Sequence, residues 1–482
     1  MSQTFLWHDY ETFGTDPRRD RPAQFAAIRT GPDLRPIGEP KVWFCALTDD
    51  YLPDPEACLI TGIGPEEVAR QGLSECEFAA RIYAEMAQPQ TCCVGYNSLR
   101  FDDEVTRFLL FRNFYDAYSR EYRDGNSRWD LIDTVRACYA FRPRGIEWPE
   151  HEPGRPSFRL EDIARANALV HERAHDALSD VEATIGLARL IRERQPRLFD
   201  FCLGLRDQRR VEALLDVPAM APLLHVSSRF GAERGCTAMV APICRHPRFR
   251  KGTIVYDLSV DPGPLIELDA EAIHDLVFTA RRDLPDDAER IPLKVIHGNR
   301  SPVVAPLSIL RTVDTARIGL DPDQCDRNLE MLRAADVEDK VRQIFERPFE
   351  GHDPIEEEAL YHIGFPSDED RRLADSVRTT PPEGLAQLAE GFRDRRYANL
   401  LFRYRARNFP ESLDPAEFSA WQDWCRERLS QPDESGANVV ERRLDAIQRL
   451  REAPDAAPEA RRLLDQLERH VRERSARLGL AN

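Results

Sequence analysis

The alternation of apolar and polar positions predicts three kinds of structure along the chain. Apolar, aromatic-rich runs typical of strands occupy 4–10, 24–30, 41–47 and 91–96. Helical periodicity follows at 74–86, 102–115, 130–141, 157–167 and 177–193. Turn residues at 31–40 predict an antiparallel connection between the second and third strands. Three strands followed by alternating helices and a further strand predict an α/β layer fold with a mixed sheet.

The pattern changes twice after this first part of the chain. The composition shifts near 195–199, and short β-rich runs punctuated by Pro and Gly extend from 222 to 312, which predicts a small barrel or sandwich. From about 352 onward the pattern is helical and highly charged. We therefore predict three domains, at 1–195, 196–350 and 351–482.

Composition favours a globular protein of the cytoplasm. The chain has 482 residues, 42% of them hydrophobic and 31% charged, and no apolar run approaches the length of a membrane span. Its first residues do not have the pattern of a signal peptide. The eleven cysteines form no C-x-x-C pair, so we expect buried, reduced thiols and a cytoplasmic location.

The net charge of the chain and the charge of two local stretches lead to different expectations about nucleic-acid binding. The net charge of −17 argues weakly against nucleic acid as a partner. However, 192–251 carries 12 Arg or Lys against 6 acids, and 390–409 carries 6 Arg against 2 acids. These stretches could complete a ring of positive charge around a nucleic-acid strand, with Arg403, Arg405 and Arg407 among the contacts. Salt bridges between domains are the alternative.

Three separate segments carry carboxylates in a pattern that suits metal ions. Asp9 and Glu11 lie two apart on a predicted strand, so both point to one face. Asp102 follows the strand at 91–96 at the start of a helix, and Asp180 lies in the first turns of another helix. Crowded carboxylates repel unless cations separate them, and a pair of metal ions that cleaves a phosphodiester requires such crowding. His175, just before the last helix, could accept a proton from an attacking water.

The segment around His175 also allows a different interpretation. His171, Glu172 and His175 spell H-E-x-x-H, which binds zinc in many metallopeptidases. A third ligand at a defensible spacing is missing, and a zinc site leaves Asp9 and Asp102 unexplained. A zinc peptidase therefore remains only as a weak alternative.

Taken together, the D-x-E, D and H-x4-D segments resemble the DEDDh class of 3′→5′ exonucleases, which have a ribonuclease-H-like fold. By that resemblance Asp9, Glu11, Asp102 and Asp180 hold two Mg²⁺ ions, for which Mn²⁺ is a plausible substitute. His175 is then the general base. The resemblance also implies hydrolysis of phosphodiesters.

Longer stretches are similar to the bacterial exodeoxyribonuclease I family, and the similarity extends across nearly the whole chain. They include HDYETFGTDPRRDRPAQFAAIRT, GYNSLRFDDEVTRFLLFRNFYDAY, PSFRLEDIARAN and, far from the others, LLFRYRARNFPESL. This family has an exonuclease domain, an SH3-like domain and an all-α C-terminal domain. The resemblance implies a monomer that degrades single-stranded DNA processively from the 3′ end to 5′-mononucleotides in repair and recombination. It further implies that Glu11 and Arg159 contact the terminal nucleotide, and that the C-terminal tail of the single-stranded-DNA-binding protein is a partner.

One segment supports a single-stranded substrate from its own chemistry. Between 105 and 129 Arg alternates with aromatic residues, and binding without sequence preference needs stacking rings beside phosphate-binding cations. Much of this set must nevertheless form helix core. The predicted DNA contacts are Arg107, Tyr118, Tyr122, Arg136 and Arg142.

Two alternatives stay open at the level of sequence. The residues themselves do not separate DNA from RNA, so an oligoribonuclease-like RNA exonuclease is one alternative. A non-catalytic single-strand binder is the other, although the complete set of four acids and His175 argues against it.

Overall fold

The structure, a computed structural model, describes residues 3–169, 176–285, 288–347, 354–362, 364–433, 436–453 and 457–480. It divides into two compact units. The first comprises Met1–Ser127, Glu172–Glu182 and His352–Asn482, and the second comprises Arg128–His171 and Ala183–Gly351.

The strands and helices are numbered in chain order. The strands are β1 (Thr4–Thr12), β2 (Pro22–Thr30), β3 (Lys41–Cys45), β4 (Gly72–Leu73), β5 (Thr91–Gly95), β6 (Ser127–Asp130), β7 (Glu150–Glu152), β8 (Arg155–Pro156), β9 (Leu223–Val226), β10 (Thr237–Arg245), β11 (Gly252–Asp257), β12 (Leu293–His297) and β13 (Val303–Pro306). The helices up to residue 346 are α1 (Pro55–Thr61), α2 (Pro65–Gln71), α3 (Glu75–Met86), α4 (Asp102–Arg112), α5 (Leu131–Phe141), α6 (Leu160–Ala166), α7 (Ala177–Arg194), α8 (Pro196–Gly204), α9 (Gln208–Leu214), α10 (Gly263–Glu267), α11 (Ala270–Phe278), α12 (Pro322–Ala334) and α13 (Glu338–Glu346). The remaining helices are α14 (Asp368–Val377), α15 (Leu385–Leu388), α16 (Arg395–Asn408), α17 (Pro415–Ser430), α18 (Val439–Arg451) and α19 (Pro458–Arg477).

The first unit is built on a mixed sheet in which β4, β3, β2, β1 and β5 are neighbours in that order. β1 pairs antiparallel with β2, so that Asp9 faces Ala26 and Glu11 faces Gln24. On its other side β1 pairs parallel with β5. The predicted mixed sheet and the antiparallel connection between β2 and β3 are therefore confirmed.

Helices α3 and α4 cover one face of this sheet. Tyr10 and Phe25 from the strands pack with Phe78 and Ile82 of α3 and with Leu109 of α4, all nearly inaccessible to water. Burying each such side chain contributes roughly 1.5–3 kcal/mol. The resulting core fixes the start of α4 against β1, which matters for the carboxylate at that position.

The C-terminal helices belong to the same unit and pack on the same domain. Tyr404 and Leu400 of α16 join a core with Phe108 and Phe114 from α4 and the residues just after it. A second core joins α17–α19 to α1 and α2, and Trp421, Leu464 and Leu467 are buried in it. The C-terminal helices thus brace the sheet that carries the carboxylates.

The second unit contains an antiparallel five-stranded sheet in the order β12, β11, β10, β9 and β13. This agrees with the predicted β-rich part of the chain. The prediction missed α10 and α11, which interrupt the β-rich part. Asp269 caps α11 by accepting from the backbone N–H groups of Glu271 and Ala272, a signal that the sequence does contain.

Two short helices of the first unit were also absent from the prediction. α1 and α2 both begin with proline, at Pro55 and Pro65, and Asp54 caps α1 through its side chain. Each is only 7 residues long, so neither displays a full apolar stripe.

The expectations for cysteine and for membrane spans have clear outcomes. All eleven cysteines are free thiols, ten of them buried, as predicted. None of the helices in the described ranges combines the length and the apolar character that a membrane span requires.

Candidate active site

Strand β1 and helix α7 bring three carboxylates to one point. Asp9 and Glu11 lie on the same face of β1, and Asp180 lies in the first turn of α7. One carboxylate oxygen from each of the three lies within 4.8 Å of the others. Glu11 is buried, whereas Asp9 and Asp180 are half-buried.

Asp102 joins this group through the backbone of β1. It begins α4, and its Oδ1 accepts a hydrogen bond of 3.1 Å from the backbone N–H of Tyr10, the residue between Asp9 and Glu11. Thr106 strengthens the junction, since its hydroxyl lies 2.8 Å from the carbonyl oxygen of Asp102 and 3.0 Å from the hydroxyl of Tyr10. The side chain of Asp102 is therefore oriented by the strand that carries the other two acids.

The four acids perturb one another strongly. Removal from water, with the charges of Asp102, Glu11 and Asp180, raises the pKa of Asp9 well above its ordinary value. Burial, followed by the charges of Asp180 and Asp102, raises the pKa of Glu11 to about 8. Each shift means that the ionised cluster is unfavourable without a compensating positive charge.

Carboxylate oxygens at this spacing fit divalent cations. Hard ions such as Mg²⁺ prefer oxygen ligands, and two of them 3.5–4 Å apart serve phosphodiester cleavage in many nucleases. The donor set contains oxygen only, which suits Mg²⁺ or Mn²⁺ better than a soft thiolate-binding metal.

Sequence models of known families match three consecutive parts of the chain. The model of a family described as "Exonuclease" matches residues 6–188, which include the four acids. The "Exonuclease I SH3-like domain" matches 206–347 and the "Exonuclease I C-terminal domain" matches 354–474. Exodeoxyribonuclease I of Escherichia coli K12 is 50% identical over 430 residues, which are 89% of this chain and 90% of that protein.

The chain belongs to the exodeoxyribonuclease I family.

Further relatives agree over similar lengths. Exodeoxyribonuclease I of Haemophilus influenzae is 45% identical and spans 88% of this chain and 90% of its own length. The solved exonuclease I of Methylocaldum szegediense is 48% identical, covers 98% of this chain and 99% of its own, and superposes with a TM-score of 0.92. An E. coli exonuclease I complex with a dA16 oligonucleotide is 46% identical, with a TM-score of 0.92 and coverage of 98% and 100%. Other solved relatives include a zinc-ion-bound E. coli ExoI–ssDNA complex and an ExoI/SSB-Ct complex.

Family membership makes the chain an exonuclease, a phosphodiester hydrolase, and confirms the predicted fold class. The zinc-peptidase alternative finds no support in these matches. Its residues His171, Glu172 and His175 lie outside the described residues, and so does the predicted base, His175.

The exonuclease has a positioning residue that the sequence did not reveal. Gln24 is buried beside Glu11, and its Oε1 accepts a 3.2 Å hydrogen bond from the backbone N–H of Ala177, the first residue of α7. The first N–H groups of a helix lack partners within the helix. The side chain of Asp176 accepts a hydrogen bond from the next of these groups, the backbone N–H of Leu178. Gln24 thus fastens the turn that carries Asp180 to the strand beside β1.

We expect Gln24→Met to weaken Mn²⁺ binding about tenfold, because groups that orient metal ligands typically matter by 10–100-fold. The Ala177 amide should also exchange with solvent faster, which hydrogen-exchange mass spectrometry of the α7 peptide measures. Gln24→Glu keeps an acceptor oxygen at the same reach and should retain the slow exchange. Gln71→Met, at an exposed glutamine, is the control. Unchanged exchange at Ala177 in the methionine variant would contradict this role.

The raised pKa of Glu11 also has a consequence for stability. A carboxyl with a folded pKa of about 8 still binds its proton where the unfolded chain has lost it. Metal-free protein should therefore lose stability as pH rises from 7 to 8. This pH range lies above the ordinary pKa of histidine, so the change is assigned to Glu11 and not to a histidine. Thermal unfolding in EDTA should show this decline in the wild type and a weaker one in Glu11→Gln. Saturating Mg²⁺ should remove the difference, and an equal decline in both proteins would refute the argument.

Two of the residues predicted to contact DNA, Arg107 and Arg136, form buried ion pairs. The Arg107 guanidinium is buried and bonds to Glu121 at 2.8 and 3.0 Å and to Glu104 at 2.6 Å. Arg136 is also buried and bonds to Asp133 at 2.6 Å. Their charges are compensated within the protein, which gives both residues a structural role, and a contact of either with DNA stays a prediction.

The other predicted contacts keep some surface. Tyr122 is 62% exposed, and Tyr118 is half-buried with the Arg107 guanidinium over its ring. Arg142 is half-buried and bonds to the carbonyl oxygen of Phe141. Arg159, just before α6, has an exposed side chain 3.9 Å from Glu161. These four remain predictions.

Three of the six arginines in the basic stretch at 390–409 form buried ion pairs. Arg403 bonds to Glu356 at 2.7 Å, Arg405 to Glu417 at 2.6 Å, and Arg407 to Asp50 at 2.7 Å, with all three guanidinium groups buried. The alternative of salt bridges between domains holds for Arg407 with Asp50, whereas Arg403 and Arg405 pair with acids of the same predicted domain, 351–482.

Proposed function

We propose that this chain is a processive 3′→5′ exonuclease that degrades single-stranded DNA to 5′-mononucleotides in DNA repair and recombination. The observation that carries the proposal is the convergence of Asp9, Glu11 and Asp180 within 4.8 Å, in a chain 50% identical to E. coli exodeoxyribonuclease I. The similarity extends through the SH3-like and C-terminal domains. This favours an exodeoxyribonuclease over an RNA exonuclease of the single-domain kind.

In the proposed site Asp9, Glu11, Asp102 and Asp180 hold two Mg²⁺ ions, or Mn²⁺ in their place. When bound, such a pair activates water and neutralises charge on the scissile phosphate. Tyr10 and Gln24 keep the carboxylates oriented through the bonds from the Tyr10 amide to Asp102 and from the Ala177 amide to Gln24. Preorganised ligands of this kind avoid reorganisation during the reaction.

Two further roles rest on sequence and family resemblance. His175 would take the proton of the attacking water, since a histidine can be neutral and basic at pH 7. Glu11 and Arg159 would bind the terminal nucleotide, for which the always-charged, bidentate guanidinium of Arg159 suits a phosphate.

The proposal extends to partners and location. A relative was solved as an ExoI/SSB-Ct complex, and we propose that this chain, as a monomer, also binds the C-terminal tail of the single-stranded-DNA-binding protein. The eleven free thiols agree with a cytoplasmic location, since disulfides are rare in that compartment.

The decisive experiment is a time course with Mg²⁺ on single-stranded DNA labelled at the 3′ or the 5′ end, alongside the same sequence as RNA and as duplex DNA. We expect immediate loss of a 3′ label as mononucleotide, persistence of a 5′ label until late, and no reaction in EDTA. Preference for RNA, early release of the 5′ label, or an undigested single strand would each overturn the proposal.

A further inference from the structure

The turn between β10 and β11 presents an exposed aromatic ring among cations. We call residues 245–251 the Arg–Phe turn. Phe249 is 54% exposed, an unusual degree for a phenylalanine, which normally contributes to the core. The exposed cations of the turn are Arg245, Arg248, Arg250 and Lys251.

The turn is held in a defined shape although its side chains are exposed. The buried ring of His246 accepts, through Nδ1, the backbone N–H groups of Arg248 at 3.1 Å and Phe249 at 3.0 Å. Gly252 closes the turn with a 2.7 Å bond from its N–H to the carbonyl of Phe249. The Phe249 ring lies 4.4 Å from the His246 ring and 5.9 Å from that of His297, measured between centroids. Phe249 is therefore supported on its inner side and free on its outer side.

Among the described residues, no acidic side chain forms an ion pair with the exposed cations of the turn. This contrasts with the buried, paired guanidinium of Arg407. Arg245 donates to the Thr253 hydroxyl at 2.7 Å and Arg248 to the carbonyl oxygen of Arg347 at 3.3 Å. The sequence has no acid from Thr237 to Tyr256. In a protein with a net charge of −17, a concentration of cations without acidic partners among the described residues is suited to binding an external anion.

A neighbouring segment extends the same surface. The N–H of Gly298 bonds to the carbonyl of Lys251 at 2.9 Å, which places the loop after β12, with its exposed Arg300, beside the turn. Burial and the charge of Arg300 lower the pKa of His297 to about 4. Burial and the charge of Arg248 likewise lower the pKa of His246. Both histidines are thus neutral at pH 7, and the ring support of Phe249 is unaffected by their titration.

We propose that the Arg–Phe turn is an accessory contact for single-stranded DNA, made by residues other than the three carboxylates. The proposal rests on the proposed function, because the ligand is the substrate strand itself. A nucleotide strand offers what the turn lacks: phosphates for the cations and an unpaired base to stack on the free side of Phe249. Binding without sequence preference uses this combination. Duplex DNA would satisfy the cations but keep its bases within the stack, so Phe249 distinguishes single from double strands.

The test is binding of oligo(dT) of 5 to 40 nucleotides to the full chain in EDTA, followed by fluorescence anisotropy. We expect Phe249→Ala to weaken binding of the longer oligonucleotides about 5- to 100-fold, the range for loss of one base–aromatic stack. Arg250→Gln with Lys251→Gln should reduce the dependence of log Kd on log salt by about 1.4, since each single-strand phosphate contact contributes about 0.7.

Matched variants keep the outcome interpretable. Phe418→Ala removes another exposed phenylalanine, and Arg282→Gln another exposed cation; both should bind long oligo(dT) like the wild type. Unchanged affinity of Phe249→Ala for long oligo(dT) would overturn the proposal. Binding of Phe249→Ala to duplex DNA and to an acidic peptide is measured in the same way. An equal loss of affinity for duplex DNA, or a loss seen only with the acidic peptide, would also overturn the proposal. Mg²⁺-dependent nucleotide release by the wild type tests the proposed function separately, and its failure would be visible without any variant.

Discussion

Asp9→Asn is expected to reduce kcat/KM on single-stranded DNA about a thousandfold while making the metal-free protein more stable. The activity falls because the amide no longer supplies an anionic ligand to the Asp9–Glu11–Asp180 cluster, and metal stabilisation of the transition state is worth several kcal/mol. Each factor of ten corresponds to about 1.4 kcal/mol. Stability rises because the substitution removes one of the charges that repel each other in the cluster.

The opposite signs of the two effects separate loss of chemistry from loss of fold. Nucleotide release with Mg²⁺ measures the first, and thermal unfolding in EDTA measures the second. Asp445→Asn, at an exposed position of α18, is the matched control and should change neither. If Asp9→Asn retained a tenth of the wild-type activity, Asp9 would not be an essential metal ligand. If it unfolded at a lower temperature than the wild type, charge repulsion in the cluster would not be the dominant effect on stability.

Arg407→Met should cost about 3–5 kcal/mol of stability, the usual effect of removing one partner from a buried ion pair. Arg407 of α16 donates to Asp50 through Nε at 3.1 Å and Nη2 at 2.7 Å, and it also bonds to Glu357. Arg21, just before β2, lies 3.5 Å from Asp50 and 3.3 Å from Glu357. The network therefore ties a C-terminal helix to the strand beside β1, and its members have almost no exposed surface.

The pH dependence identifies the cause of this loss. Burial opposes ionisation of Asp50, but the charges of Arg407 and Arg21 outweigh it and lower its pKa, and they lower the pKa of Glu357 in the same way. Both acids stay ionised in the folded wild type at every pH above the unfolded value. Without Arg407 their pKa values rise, so the stability deficit should be larger at pH 7 than at pH 5, where protonation can relieve the unpaired charge.

Chemical denaturation at the two pH values measures the effect. Arg396→Met on the same helix is the control, because its pair with Asp394 is partly exposed and such pairs contribute at most about 1 kcal/mol. Arg407→Met combined with Glu357→Gln should recover part of the loss, since a neutral partner costs less to bury than an unpaired charge. A deficit that is the same at both pH values would indicate lost packing instead of lost charge compensation.

Much of the first domain was predictable because its signals are local. The alternation of Asp9 and Glu11 on a strand depends only on the two-residue repeat of β-structure. Asp102 and Asp180 were assigned to helix starts by the apolar stripes that follow them. The structure brings Asp9, Glu11 and Asp180 together. Their assignment as metal ligands with Asp102, and that of His175 as the general base, stay predictions.

Arginine was the residue type on which sequence reasoning was least informative. The same side chain serves phosphate binding and buried ion pairs, and the pattern along the chain is the same in both cases. Arg107 was predicted to bind DNA, and the structure shows its charge compensated by Glu104 and Glu121, which the sequence pattern does not reveal. In the Arg–Phe turn, by contrast, the cations lack such partners among the described residues.

By itself, the sequence determined the longer strands and helices of the exonuclease domain, the chemical nature of its acidic segments and the family to which the chain belongs. These properties follow from periodicity and residue type within single segments. Only the tertiary structure decided that Gln24 faces Glu11 and holds the first turn of α7, and that the charge of Arg407 is compensated by Asp50 and Glu357. Such pairings join residues 153 and 357 positions apart, and they depend on strand register and helix packing, which no local pattern in a single sequence encodes.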